Sequence, residues 1–167
     1  MADSGHNEVV VERFIRATPQ RVFAALTDAQ ELERWFFTEV QTDPRPGGSY
    51  AMWWRSEKEP ERDHRRLGRY LEFVPGERLT FEWRGDGTGP KELTQIGETT
   101  VTITLKAEAG GTRLRLVHTG WADNEVARKS RESHRGGWTF YVENLERFLA
   151  GGPDERQRLI GQRLKST

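Results

Sequence analysis

Four runs in this chain alternate apolar and polar side chains with period two, and one later run repeats at three and four. Tyr50, Met52 and Trp54 share one face of a strand pattern, as do Leu79, Phe81 and Trp83, then Val101, Ile103 and Leu105, then Leu114, Leu116 and His118. Such alternation predicts antiparallel strands with one buried side. Trp138, Tyr141, Leu145, Phe148 and Leu149 lie on one face of a helix. A sheet with one apolar face and a helix with one apolar stripe each need a cover, and each can cover the other. The chain is therefore expected to be α+β: a curved antiparallel sheet wrapped around a long C-terminal helix.

The remaining segments fit that plan. EVVVERFIRA, residues 8–17, reads as a first strand. Thr18 followed by Pro19 starts a short helix, and Thr27 with Gln30 or Asp28 with Glu31 starts another. Both helices are too short to persist alone in water, so packing must hold them. They end in Trp35, Phe36 and Phe37, one closing wall for the gap that curvature opens between sheet and helix. Residues 37–43 and 67–75 supply further strands, with RSEKEPERDHRR, residues 55–66, read as a solvated charged connection. Asp123 is the expected cap of the last helical region, and Gly136-Gly137 the expected break in it, since each glycine costs roughly 1 kcal/mol relative to Ala inside a helix. Residues 1–7 read as a flexible tail, 8–151 as the domain, and 152–167 as a tail or short helix in which Leu159, Ile160 and Leu164 are the apolar points.

Only 34% of the residues are hydrophobic, yet there are six Trp, eight Phe and three Tyr, so large side chains must do most of the burying. Lys plus Arg is 26 and Asp plus Glu is 26, a balance that argues against broad electrostatic binding of nucleic acid. With no cysteine there is no disulfide framework and no thiol chemistry. No apolar run has the length of a membrane span, and MADSGHNE lacks the pattern of a signal peptide, so a cytoplasmic protein is expected.

The ordered pieces FIRATPQRVFAALTDAQELERWF, RPGGSY, GRYLEFVPGERLTFEW, TTVTITL, GGTRLRLVHTGW and GGWTFYVENLERFL resemble the START-like helix-grip (SRPBCC) superfamily, in the branch named after the activator of the Hsp90 ATPase. The resemblance covers roughly residues 8–151. It implies a single domain with a cavity between sheet and C-terminal helix. Relatives bind lipids, hormones or polyketides, and some are cyclases or hydrolases. The eukaryotic activator has an additional N-terminal domain that contacts the chaperone; nothing in these residues corresponds to it, so the family name alone brings no chaperone role.

The candidate ligand-binding residues are Trp35, Tyr50, Met52, Trp54, Tyr70, Phe81, Trp83, His118, Trp138 and Tyr141, all on faces that register assigns to the interior. A solid aromatic core is the alternative; the implied cavity favours a small hydrophobic ligand, lipid-like or aromatic. Trp83 and Trp138 are expected to face each other across that cavity, and Trp53 to lie on the outer face as a contact surface. A monomer or weak homodimer is expected. The second reading is a cyclase- or hydrolase-type enzyme, with His118, Glu72 and Tyr70 as acid–base candidates. His118 could instead be held by a backbone group near the cavity's end, and a bulge near Pro75 would turn Glu72 outward. The third reading is a chaperone-linked interaction protein. His6, His64, His118 and His134 form no HxxxH or HExxH pattern, so neither metal nor cofactor is expected.

Overall fold

The computed structural model describes residues 7–90 and 96–158. Strand β1 (Val9–Ile15) leads into helices α1 (Pro19–Thr27) and α2 (Ala29–Trp35). Six strands follow: β2 (Glu39–Thr42), β3 (Ser49–Trp54), β4 (His64–Val74), β5 (Arg78–Gly85), β6 (Thr99–Glu108) and β7 (Gly111–Thr119). The long helix α3 (Glu125–Leu149) follows, and after it a short 3-10 turn at Glu155–Arg158. The seven strands form one curved antiparallel sheet in the order β1-β7-β6-β5-β4-β3-β2, so each hairpin joins neighbours and the chain's first strand closes beside its last.

Local chemistry sets the helix ends. The Thr18 hydroxyl accepts from the Arg21 N–H with Pro19 in the first turn, and the Asp28 carboxylate accepts from the Glu31 N–H. Asn124, not Asp123, caps α3: its side chain accepts from the Ala127 N–H, while Asp123 pairs with Arg128. The interior faces of β3, β5, β6 and β7 are those the alternation predicts, and Trp138, Val142 and Leu145 of α3 pack into the same core. Trp53 lies on the opposite face of β3, half-buried between the guanidinium groups of Arg55 and Arg65.

Three expectations about the elements need correction. First, α3 is continuous through Gly136 and Gly137; a Cβ at either would meet nothing within 4 Å, so close packing does not demand them. Second, its most buried face is Ala127, Ser130, His134, Trp138, Val142 and Leu145, with Tyr141, Phe148 and Leu149 only partly buried. The N-terminal half of that face is polar, so hydrophobic periodicity was blind to it. Third, the charged connection is not wholly solvated. His64, Arg65 and Arg66 already belong to β4, and Ser56 and Arg66 are buried.

The segment after Gly152 is tied to α2. Arg156 donates from Nη1 to the carbonyls of Phe36 (3.0 Å) and Phe37 (3.3 Å) and is held by Asp154. Asn144 of α3 donates to the Trp35 carbonyl at 2.9 Å. The free carbonyls at the end of α2 are thus satisfied from elsewhere in the chain. Leu159, Ile160 and Leu164 lie outside the described residues.

Candidate functional site

The aromatic candidates divide between two spaces. Trp35, Tyr50, Met52, Tyr70 and Phe81 line a deep void of about 20 Å³, together with Trp138 and Tyr141, which also line the second space. That volume holds about one water. Tyr50 reaches across Gly68 to donate to the Glu82 carbonyl, and a Cβ at Gly68 would lie 2.5 Å from that same oxygen, so only glycine fits there. Trp35 donates to the Ala25 carbonyl at 2.9 Å. These side chains are knitted into the core.

The second space is a cleft of about 320 Å³. Its walls are Phe36 and Phe37 from the link between α2 and β2, Trp54 of β3, Trp83 of β5, and Trp138 and Tyr141 of α3. Phe36 is the hub, with its ring centroid 4.8 to 6.1 Å from those of Tyr141, Trp35, Trp138 and Trp83. Trp83 and Trp138 are in direct contact at 4.9 Å, so they form one wall and no ligand fits between them. Gly137 lines the cleft too, and a larger side chain there would project into open space.

One end of the cleft is polar, built from Ser56, Arg62, His64, Arg66, Ser133 and His134. None of these was a candidate from the sequence. Two signals pointed to them: Arg66 and His64 share Tyr70's strand parity, and His134 precedes Trp138 by one helical turn.

Hydrogen bonds set the histidine tautomers. Trp83 Nε1–H donates to His134 Nε2 at 3.1 Å, which leaves the proton on Nδ1, 2.8 Å from the Ser130 carbonyl. Trp138 Nε1–H donates to His118 Nδ1 at 3.0 Å, so His118 Nε2 carries the proton and faces the Thr99 hydroxyl at 2.7 Å. Thr99 passes the chain on to the Trp83 carbonyl at 2.8 Å. His64 donates from Nδ1 to the Arg62 carbonyl at 2.9 Å, leaving Nε2 as an acceptor. All three rings are held neutral. Burial, then the Arg66 charge, lowers His64 to about 4 and His134 to about 3, and burial followed by His134 and Arg66 lowers His118 well below its usual value.

The three acid–base candidates do not converge. His118 is fully buried behind Trp138, with its ring tilted against Trp121 at 4.3 Å between centroids, and lines neither space; its ring bonds to side chains, not to a backbone group. Tyr70 belongs to the deep void, where burial raises its hydroxyl well above the usual range. Glu72 is outside the core, its side chain 47% exposed and bonded to Arg78 (2.8 Å) and Thr80 (2.7 Å), which hold its carboxyl below the usual range. The cause is a bulge: Tyr70 pairs with Phe81 but Glu72 with Thr80, so one extra residue reverses parity within β4, upstream of Pro75. Among the described residues no cluster of His, Cys, Asp or Glu is arranged for a metal.

The same fold recurs in solved structures. Protein CV1439 from Chromobacterium violaceum is 29% identical, with a TM-score of 0.71 over 89% of this chain and 99% of that one. Protein MLL2253 from Mesorhizobium loti is 25% identical, with a TM-score of 0.71 over 87% of this chain and 98% of that one. The solution structure of the Aha1 dimer from Colwellia psychrerythraea is alike in fold alone, at 16% identity and a TM-score of 0.64 over 85% of this chain and 95% of that one. A comparison with curated proteins finds no match. Among the described residues no helix is long and apolar enough to cross a membrane. The model of the family described as "Activator of Hsp90 ATPase homolog 1-like protein" matches residues 16–150, from the end of β1 to the end of α3, and the chain belongs to that family.

Proposed function

We propose that this protein binds a small hydrophobic molecule in the cleft between the sheet and α3. The observation that carries the reading is the cleft itself: about 320 Å³, walled by six aromatic side chains from four parts of the chain, with polar groups gathered at one end. Small-molecule sites occupy roughly 300–1,000 Å³ and combine apolar walls with a few placed polar groups. The cyclase or hydrolase reading is weaker, because its acid–base candidates would have to meet at one cavity point, whereas His118, Tyr70 and Glu72 lie in three different places.

The neutral probe N-phenyl-1-naphthylamine tests the reading. Its fluorescence should rise on mixing with the wild-type protein, and Gly137→Phe, which puts a ring into the cleft, should abolish the rise while circular dichroism and the melting temperature stay near wild type. No rise with the wild type, or a rise that survives Gly137→Phe, would overturn it. Native mass spectrometry of freshly purified protein would identify any molecule that remains bound.

A further inference from the structure

The geometry points to a monoanionic ligand: we infer that the hydrophobic molecule carries one carboxylate, bound by Arg66. The inference rests on the proposal that the cleft is a ligand site. Arg66 is 1% exposed and lines the cleft. Among the described residues its buried Nε and Nη1 have no hydrogen-bond partner, and its Nη2 has only the distant His134 Nε2 at 3.5 Å. No carboxylate forms an ion pair with it among the described residues. Asp86, whose field reaches Arg66, spends its ion pair on Arg65 at 2.9 Å. A buried charge with two idle donors is costly unless something completes it. Packing of the guanidinium over Trp83 at 5.3 Å offsets only part of that cost.

The rest of the cleft selects the sign and size of the missing charge. Trp54 Nε1–H and the Tyr141 hydroxyl have no hydrogen-bond partner among the described residues, so each adds a donor to the walls, beside the acceptor at His64 Nε2. His64 and His134 are neutral, and Arg62 at the mouth is engaged by Glu59 at 3.8 Å. The buried charge left to compensate is one, which suits a carboxylate and would be overcompensated by a phosphate dianion. The planar guanidinium presents its N–H groups in a fork that matches a carboxylate. The predicted ligand class is thus an aromatic or aliphatic acid, its apolar body against Phe36, Trp54 and Trp138 and its carboxylate toward Arg66.

The test is calorimetric titration with 2-naphthoate and its neutral isostere 2-naphthamide. Charge-assisted hydrogen bonds predict that wild-type protein binds the acid about 10- to 100-fold more tightly than the amide. Arg66→Met should level the two affinities, leave amide binding within about twofold, and melt no lower than wild type, since an uncompensated buried charge is removed. Arg66→Lys, which keeps the charge and loses the fork, should retain part of the preference. Equal wild-type affinities, or a preference that survives Arg66→Met, would refute the anion assignment and leave the hydrophobic site standing. Binding of neither compound, together with no response from N-phenyl-1-naphthylamine, would remove the ligand site itself.

Discussion

Trp83 and Trp138 each donate an indole N–H to a histidine nitrogen that must be unprotonated to accept it. Protonating His134 or His118 would set two N–H groups against each other in the core, so the network works only with neutral rings. This gives a stability prediction with a definite sign. In the folded state His64 and His134 are lowered to about 4 and about 3, against 6.5 when unfolded. Above the unfolded value neither state is protonated, and their contribution is intact. Below it the unfolded chain takes up protons that the fold refuses, and stability falls until the folded values are reached. The unfolding free energy from urea denaturation should therefore hold steady from pH 8 to about 6.5 and drop steadily toward pH 4.5, by on the order of a few kcal/mol in all. His134→Gln should flatten that slope; an unchanged slope would show that the ring is not held neutral.

At the scale of elements, the instructive case is α3. Its glycine pair reads as a break, yet the helix passes through it, held by the packing of Trp138, Val142 and Leu145 and capped by Asn124. Gly136 is exposed and a Cβ there touches nothing, so Gly136→Ala should raise stability by about 1 kcal/mol through helix propensity alone. A denaturation midpoint that does not rise would mean the helix is locally open at that turn. Gly137 has a different part: without a side chain it leaves the cleft wide where α3 faces Trp54 and Phe37. Strand β4 teaches the complementary lesson. Its bulge between Tyr70 and Glu72 keeps Tyr70 and Arg66 inside while turning Glu72 out, so a candidate acid became a surface ion-pair partner through one inserted residue.

Over the whole molecule, the cleft depends on a closure that links the end of α2 to α3 and the segment after it. The aromatic turn at Phe36 and Phe37 is pinned by Asn144 from α3 and by Arg156 beyond it. Arg156 is almost fully buried, and its charge is met by Asp154. Arg156→Met would leave the Phe36 and Phe37 carbonyls and the Asp154 carboxylate without this partner, and should cost about 2–4 kcal/mol in urea denaturation. A loss within 0.5 kcal/mol, roughly that of an ordinary surface substitution, would show that the segment merely rests on the domain. The paired short helices after β1 thus have a purpose that their own length could not support. They carry two phenylalanines to the cleft, and Asn144 and Arg156 hold them there.

The architecture was legible in the sequence because it follows from local repetition. Period-two runs and one helical stripe need only neighbouring residues to be read, and together they require a sheet gripping a helix. The Thr18 cap was legible for the same reason, and Asp28 as one of two candidates with Thr27, between which the structure selects Asp28. The polar end of the cleft was not, because Arg66, His64 and His134 belong to no recognisable motif and lie far apart in the chain. Only the tertiary structure brings a strand that looked like a charged loop against the polar face of a helix. Only there is Arg66 buried with no carboxylate partner among the described residues. Burial without a partner is a property of position in space, so residue order could indicate that an arginine was present but not that it was left uncompensated.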